Sequence, residues 1–389
     1  MTPPDITLVT GFPAFAARRL AAQLLESDPQ ERVFMLAQKK FSTALETFIR
    51  TLPATAQKRV EVLIGDVIDM DLGLTGRELN ALTRDLTAIH HTAAVSYLGT
   101  KSGLMRRVNV EGTRAILELG SECQRLRRLI HWSTAQVSGR RSGVILEDEL
   151  DLGQRFSDAY EETKFAAELL VHKAMRRLPI TVLRPGIVVG DSHTGEIDRF
   201  LGPYYLMRMI ITSPLDVSLP LPGRGDGPLN LVPIDFVVAA AAALGRDERA
   251  RGGTFHLTDP CPLAARTVYE LVAERADKKL PRGVIPTRWA QLLLRVPVVR
   301  RLAHVPLSFL QSFDHPAVYS ARQALSLLDG TGIICPPFDS YVDKLVTYVQ
   351  KRHRERGDET SDVGALRKPS DTARPHDPYD DSPDPESPN

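Results

Sequence analysis

The chain has 389 residues, a formal net charge of +1, 43% hydrophobic residues and 25% charged residues. These values are typical of a globular protein that buries its own core. The near-zero charge argues against a dedicated nucleic-acid-binding protein. The three cysteines, Cys123, Cys261 and Cys335, lie far apart. This spacing excludes a cysteine-based zinc site and argues against a disulfide framework, so we expect no metal site.

The N-terminal sequence has no basic segment followed by a long apolar run, and no stretch of about 18 apolar residues occurs. We therefore expect neither a signal peptide nor a transmembrane helix, and we expect a cytoplasmic protein. Residues 287–313 mix arginines with large apolar side chains. Ordinary packing, a lid over an acyl chain and peripheral membrane contact all remain open for that segment.

Short apolar runs alternate with amphipathic helical segments in the first half of the chain. The runs cover residues 6–10, 33–37, 60–65, 88–93, 129–133 and 180–183. This alternation predicts an α/β fold with a doubly wound parallel sheet of the Rossmann type. After Gly190, clustered prolines and glycines predict a smaller C-terminal substrate-binding cap.

We predict a single unit over residues 1–355. Residues 1–190 would form mainly the dinucleotide-binding core. Residues 191–355 would form mainly the cap, with some chain returning to the core. Helices are predicted over residues 237–244 and over about 340–356. Residues 356–389 include a stretch rich in prolines and acids, which predicts a disordered tail.

The first strand leads through a tight turn into a helix. The residues of this turn are Thr10, Gly11, Phe12, Pro13, Ala14 and Phe15. A helix N-terminus after a strand favours an anion, because free N–H groups and the helix dipole point at it. Dinucleotide-binding turns carry three glycines, but here Ala14 stands where a pyrophosphate would approach. From this motif alone, an ordinary strand-to-helix turn is an equal alternative.

Tyr160 and Lys164 form a YxxxK pattern on a predicted helix, and their spacing places both side chains on one face. A neighbouring ammonium favours the phenolate, so we expect the pKa of Tyr160 to be lowered. The tyrosine would then serve as a general acid or base. Thr134 follows a predicted strand and Asn109 lies early on a predicted helix. A hydroxyl at the carboxyl end of a parallel strand faces the ligand crevice.

The order of these motifs resembles the extended short-chain dehydrogenase/reductase family. The resemblance is strongest to its branch of thioester reductases and fatty acyl-CoA reductases, the male sterility type. The matching segments include GDV at 65–67, HTAA at 91–94, VNVEGT at 108–113, STAQVSG at 133–139, YEETK at 160–164 and LRPGIVVG at 183–190.

The resemblance implies a nicotinamide dinucleotide site. Residues 11–15 would hold the pyrophosphate. Asp66, with Val67 beside it, would bind the adenine. Ala93 and Ala94 would line the crevice on the ribose and nicotinamide side.

The resemblance also implies catalytic roles. Thr134 would polarise the substrate carbonyl, and Tyr160 would transfer the proton. Lys164 would hold the nicotinamide ribose and tune Tyr160, and Asn109 would support a water relay to Lys164. The nicotinamide carboxamide would be positioned by Pro185 and by the backbone of Ile187 and Val188.

The second predicted strand ends in Gln38, Lys39 and Lys40. NAD-preferring sites place a carboxylate here to bind the ribose 2′-hydroxyl, and this sequence has none. Two lysines would instead favour a 2′-phosphate. The sequence therefore predicts NADP(H), with NAD as the alternative and a solvated loop as the neutral explanation for the lysines.

These features predict an NAD(P)H-dependent oxidoreductase that reduces an acyl thioester or a related lipid or polyketide-type carbonyl. The substrate would be a small molecule or a carrier-linked acyl group delivered from outside. A keto/hydroxy dehydrogenase or a sugar-nucleotide epimerase or dehydratase remains open, because one fold hosts all these activities. A nucleotide-binding protein without turnover also remains open and is supported by Ala14. The oligomeric state is left open.

Overall fold

A computed structural model describes residues 5–96, 102–213, 221–280, 282–285 and 313–362. The strands of this part of the chain are β1 (Ile6–Thr10), β2 (Arg32–Ala37), β3 (Val60–Ile64), β4 (Ala88–His91), β5 (Arg128–Trp132), β6 (Gly143–Ile145), β7 (Ile180–Pro185), β8 (Ile187–Val189), β9 (Leu221–Pro222), β10 (Leu231–Pro233), β11 (Thr254–Leu257), β12 (Val284–Ile285) and β13 (Ala317–Tyr319).

The helices surround these strands. They are α1 (Phe15–Ser27), α2 (Ser42–Thr51), α3 (Ala54–Gln57), α4 (Gly76–Asp85), α5 (Ser102–Arg106), α6 (Gly112–Glu122), α7 (Ala159–Ala174), α8 (Pro203–Thr212), α9 (Ile234–Arg246), α10 (Ala265–Arg275), α11 (Arg322–Leu328) and α12 (Val342–Asp362). A π-helical turn, Arg107–Glu111, joins α5 to α6.

The central sheet has seven strands in the order β11-β7-β5-β4-β1-β2-β3, and its neighbouring strands pair in parallel. Helices α1 and α9 pack on one face, and α4, α6 and α7 contribute to the core on the other. Both faces are covered, which explains the continuous apolar runs of the strands. The strand order reverses beside β1, and the crevice at such a point is the usual ligand site of this fold.

The predicted Rossmann-type α/β fold is confirmed. The structure adds an edge strand, β11, that the sequence did not predict because it is short and carries Thr254 and His256 among its four residues. The predicted helix that carries Asn109 contains the π-helical turn, and the helix predicted over 237–244 begins earlier, at Ile234. The last helix continues to Asp362, so the first residues of the predicted tail are helical.

A second core lies beyond the sheet and packs α8, α10 and α12 together. Tyr269 and Phe313 stack there with ring centroids 5.2 Å apart. The parallel pair β8–β10 lies next to this core. Most of the segment 287–313 and residues 363–389 of the predicted tail lie outside the described residues. No helix in the described part of the chain combines the length and apolar character needed to cross a membrane.

Candidate active site

The turn after β1 is shaped by a close approach of two chain segments. Gly11 has φ +95°, and a Cβ there would lie 2.7 Å from Thr92 Oγ1 and 2.8 Å from Ala93 N. A side chain at this position would therefore collide with the loop after β4, and the backbone angle favours glycine as well. The turn closes with a hydrogen bond from Ala14 N to Gly11 O of 2.9 Å.

The N-terminus of α1 is open to an anion. Ala14 is its N-cap residue and supplies no side-chain cap, and the first turn has no acidic residue. Arg18 lies in this turn and donates from Nε to Pro13 O at 3.2 Å. Unpaired N–H groups beside a guanidinium suit the pyrophosphate of a dinucleotide. Ala14 has φ −53°, which an alanine adopts freely, so only its methyl group distinguishes this turn from one with glycine.

The edge of the crevice to which the resemblance assigns the adenine is held together by polar contacts between strand ends. Gln38 Nε2 donates to Asp66 Oδ2 at 2.5 Å, and Ile68 N donates to Asp66 Oδ1 at 3.2 Å. Burial raises the pKa of Asp66, although both hydrogen bonds oppose the shift. Val67 packs against Gly112, where a Cβ would lie 2.8 Å from Val67 Cγ2. Lys39 is exposed beside this edge.

A buried hydrogen-bond chain connects β1, β4 and α6. Thr113 Oγ1 donates to Asn109 O at 2.7 Å and lies 3.1 Å from His91 Nε2. Since the threonine proton is used, His91 Nε2 is the donor, and Nδ1 accepts from Thr10 Oγ1 at 2.9 Å. Burial lowers the pKa of His91 to about 3, so the ring is neutral. Ala93 N donates to Thr10 Oγ1 at 3.3 Å, which fixes the loop that carries Ala93 and Ala94.

Asn109 clamps this loop to α7. Its Oδ1 accepts from Val95 N at 2.8 Å, and its Nδ2 donates to Val95 O at 3.1 Å and to Thr163 Oγ1 at 3.0 Å. Both amide hydrogens are therefore used within the protein. Through these contacts Asn109 positions the loop and the helix turn next to Lys164. The water relay implied by the resemblance stays a prediction.

Thr134 and Tyr160 meet at the carboxyl end of β5. Thr134 is buried and starts a short 3₁₀ turn by accepting from Gln136 N at 3.3 Å. Burial raises the pKa of Tyr160 to about 12, a hydrogen bond with Thr134 lowers it in part, and Asp158 and Glu161 raise it further. The prediction that Lys164 lowers this pKa is wrong in this structure. Tyr160 is consequently a phenol at neutral pH.

Lys164 reaches the end of β5 from the next turn of α7. Its Nζ donates to Trp132 O at 2.6 Å, so the ammonium is drawn towards this carbonyl, and the side chain is 2% exposed. Burial lowers the pKa of Lys164 to about 8, while the Glu168 charge opposes that shift. An ammonium has three donors, and the bond to Trp132 uses one. Lys164 therefore fits the ribose hydroxyls that the resemblance assigns to it.

Glu168 supports this arrangement from the same helix and is fully buried. Arg184 Nε donates to Glu168 Oε1 at 2.9 Å, and Ser133 Oγ donates to Glu168 Oε2. Burial alone would raise the pKa of Glu168. The Arg184 charge and hydrogen bonds from His172, Arg184 and Ser133 instead hold it at about 2. Sequence reasoning missed this ion pair, although the i,i+4 spacing from Lys164 was visible.

The segment Pro185–Val188 passes from β7 to β8 beside the crevice. Ile187 N donates to Asn230 O at 2.9 Å, and Val188 pairs with Val232. A Cβ at Gly186 would lie 2.6 Å from Asn230 Oδ1. The backbone of this segment is therefore held in place by β10.

The structure thus brings Thr134, Tyr160 and Lys164 together, with Asn109 bonded to the residue before Lys164. The open N-terminus of α1, the Asp66 edge and the Lys164 ammonium fit a dinucleotide with its nicotinamide end towards Tyr160. The fold and the site together define a Rossmann-type oxidoreductase dependent on a nicotinamide cofactor.

Comparison with known proteins gives the family. The model of the male sterility protein family, an NAD-binding domain, matches residues 9–241. The chain belongs to this family.

Two curated relatives are similar to parts of the chain. An isonitrile lipopeptide synthase of Streptomyces coeruleorubidus is 27% identical over 377 residues, covering 88% of this chain and 24% of the relative. The fatty acyl-CoA reductase wat of Drosophila melanogaster is 24% identical over 279 residues, covering 61% and 53%. The chain therefore spans about half or less of the length of these relatives.

A solved structure agrees over nearly the full length of both chains. The terminal R domain from the myxalamid PKS-NRPS biosynthetic pathway has a TM-score of 0.77 and 26% identity, covering 91% of this chain and 92% of that chain. The family and this neighbour bear out the predicted resemblance and the oxidoreductase class.

Proposed function

We propose that the protein uses NADPH to reduce an acyl thioester, carried by a carrier protein or by coenzyme A, to an aldehyde and a free thiol. The observation that carries this proposal is the meeting of Thr134 and the protonated Tyr160 at the carboxyl end of β5, with Lys164 behind them. The relatives that act on acyl groups support the choice of substrate class.

The residues of the chain account for the steps around the carbonyl. The hydroxyls of Thr134 and Tyr160 bind the carbonyl oxygen and stabilise the negative charge that develops there. A bound reduced nicotinamide supplies the hydride to the carbonyl carbon. Tyr160 is protonated at neutral pH and donates its proton, and Lys164 holds the ribose beside it. The thiol leaves as the aldehyde forms.

The preference for NADPH rests on the chain around the end of β2. Gln38 occupies the position of the usual carboxylate and is bonded to Asp66, while Lys39 and Lys40 are exposed beside it. Exposed ammonium groups favour a 2′-phosphate over a hydroxyl. Titration of the protein with NADPH and NADH tests this, with tighter binding of NADPH expected. Equal or inverted affinities would contradict it.

A substrate panel tests the proposed reaction. The protein is incubated with NADPH and, separately, acyl thioesters, ketones and nucleotide sugars, and the products are identified by mass spectrometry. We expect aldehyde and free thiol from the thioesters, with NADPH consumed in equal amount. Conversion of a ketone or a nucleotide sugar alone would replace the proposal by one of the other activities of this fold. Cofactor binding without any conversion would favour a binding protein.

A further inference from the structure

A pocket lies beside the Thr134–Tyr160 pair. Its walls come from the loop after Thr134, the start of α7, the β7–β8 junction, residues 228–230 before β10 and the chain around β13. The polar residues among its lining are Gln136, Glu161, Asn230, His315 and Tyr319. Ala135 and Glu161, the chain neighbours of Thr134 and Tyr160, both line it, so an acyl group held by these two hydroxyls would lie next to this space.

Glu161 is the acidic side chain of the pocket and directly follows Tyr160. Its Oε2 accepts from Ser157 N at 2.7 Å, which helps to cap α7. The Ser157 side chain gives the same carboxylate a second hydrogen bond. Arg140, the nearby cation, donates instead to Ser157 Oγ at 3.3 Å and is exposed. Among the described residues, Glu161 is therefore hydrogen-bonded through Ser157, and no cation lies within ion-pair distance of its carboxylate.

Charges of both signs act on Glu161. Burial raises its pKa to about 7. Hydrogen bonds from Ser157 and the Arg140 charge lower it, and the Asp158 charge raises it. Tyr319 from β13 also faces this carboxylate, and its hydroxyl is paired with Ser138 Oγ at 3.1 Å. A half-buried carboxylate of this kind would be stabilised by an incoming cation.

His315 supplies a second acceptor in the same pocket. Its ring hydrogen-bonds the backbone of Gly139 and Arg141, and burial lowers its pKa, so the ring is neutral. Its Nε2 is buried and has no hydrogen-bond partner among the described residues. A neutral imidazole that donates to carbonyls with one nitrogen accepts with the other, so Nε2 is an unsatisfied acceptor shielded from solvent in the pocket wall.

We propose that this pocket selects acyl groups that carry an ammonium group close to the reacting carbonyl, with Glu161 as the specificity-determining residue. The inference rests on the proposed thioester reduction and narrows its substrate class. An aliphatic chain would cover the Glu161 carboxylate without bonding to it, which costs free energy. An ammonium group would bond to this carboxylate instead.

Two thioesters of N-acetylcysteamine with equal shape test the proposal. One carries a 3-aminobutanoyl group and the other a 3-methylbutanoyl group, so that an ammonium replaces a methyl. At pH 8 we expect kcat/KM to favour the ammonium substrate by about tenfold, since hydrogen bonds to charged groups have this size. Glu161→Gln retains an oxygen for Ser157 N and should remove the preference. A preference for the methyl substrate, or an unchanged ratio in Glu161→Gln, would overturn the proposal.

Glu162→Gln is the matched control. Glu162 is the exposed neighbour on the same helix, and this variant changes the net charge equally. It should retain the preference of the parent protein. Loss of the preference in both variants would indicate a general charge effect and would contradict a specific role of Glu161.

The pH dependence gives a second readout. Glu161 becomes protonated as the pH falls through about 7, whereas an aliphatic ammonium stays charged. The preference should therefore shrink between pH 8 and pH 6 in the parent protein, with no such change in Glu161→Gln. A parent protein whose preference is the same at both values would contradict the assignment.

The experiments distinguish a failure of the proposed thioester reduction from a failure of the proposed ammonium preference. If neither thioester is reduced, the proposed function fails, and the inference is decided by calorimetric titration of the same two compounds without cofactor. Tighter binding of the ammonium compound, lost in Glu161→Gln, would support the pocket. Equal binding of the two compounds would overturn it.

Discussion

Tyr160 illustrates how burial favours the protonated form of a phenol. The YxxxK pattern led us to expect a phenol made more acidic by Lys164. In the structure Lys164 donates to Trp132 O, and burial raises the pKa of Tyr160 to about 12. A protonated tyrosine beside Thr134 is suited to giving a proton to an oxygen that becomes negative, as reduction of a carbonyl requires.

Lys164→Ala tests the two roles assigned to Lys164, which are binding of the ribose and support of proton transfer from Tyr160. The variant removes the ammonium that would hold the ribose and support proton transfer from Tyr160. We expect weaker NADPH binding and a turnover reduced by about tenfold to a thousandfold, in the range of a lost acid–base or binding group. Fluorescence titration and steady-state kinetics measure the two effects. Unchanged cofactor affinity with reduced turnover would contradict the ribose contact.

Ala14→Gly tests the unusual residue of the phosphate turn. Removing the methyl should tighten NADPH binding by a few-fold to about tenfold, which corresponds to up to about 1.4 kcal/mol. The added freedom of glycine in the free protein opposes this gain. Binding that is unchanged or weaker would show that the turn is already adapted to alanine. Binding that occurs only in the glycine variant would favour a protein without turnover.

At the scale of elements, a buried ion pair fixes α7 to β7. Glu168 on α7 bonds Arg184 on β7 and Ser133 beside Thr134. Arg184 also donates from Nη1 to Glu147 O at 3.2 Å. Glu147 in turn accepts from Ala324 N at 3.0 Å near the start of α11. The helix that carries Tyr160 and Lys164 is therefore held to the sheet by charges that water does not reach.

Glu168→Gln should destabilise the protein by about 3–5 kcal/mol, because it leaves Arg184 buried without a counter-charge. Urea unfolding of this variant and of the exposed control Glu162→Gln measures the difference. An unfolding midpoint equal to that of the control would contradict a structural part for the pair.

The same ion pair has a pH signature. The pKa of Glu168 falls from 4.5 to about 2 on folding, so the folded state favours the carboxylate. Its contribution to the free energy of unfolding is present above about pH 4.5 and is lost as the pH falls towards 2. The acid-unfolding profile of the parent protein should therefore converge on that of Glu168→Gln at low pH. Parallel profiles would argue against this linkage.

For the whole molecule, the apolar runs were sufficient to predict six strands of the sheet and their alternation with helices. Edge strand β11 was not predicted, because Thr254 and His256 weaken its apolar character. It also lies more than 60 residues after β8 in the sequence, so the alternation of strands and helices does not point to it. The π-helical turn at Asn109 was not predicted either, because such turns are rare and this one is a single turn inside a longer helical segment.

The candidate site was predictable where its residues share one short motif or one strand end. Thr134, Tyr160 and Lys164 belong to that group. The polar lining of the pocket was not predictable, because His315 and Tyr319 are far from Glu161 in the sequence and share the pocket with it only in the folded chain. From sequence, Glu161 is an ordinary acidic residue in the first turn of a helix, and in the structure it does accept a hydrogen bond that caps this helix.

The most direct test of thioester reduction combines product identification with one substitution. The parent protein and Tyr160→Phe are each incubated with NADPH and an acyl thioester, and aldehyde and thiol are quantified against NADPH consumed. We predict equal amounts of all three for the parent protein. For Tyr160→Phe we predict turnover lower by about 10²–10⁴-fold, as expected for a lost general acid, with NADPH affinity nearly unchanged. Aldehyde formation by Tyr160→Phe at most of the parental rate, or no aldehyde from the parent protein while it binds NADPH, would contradict the account.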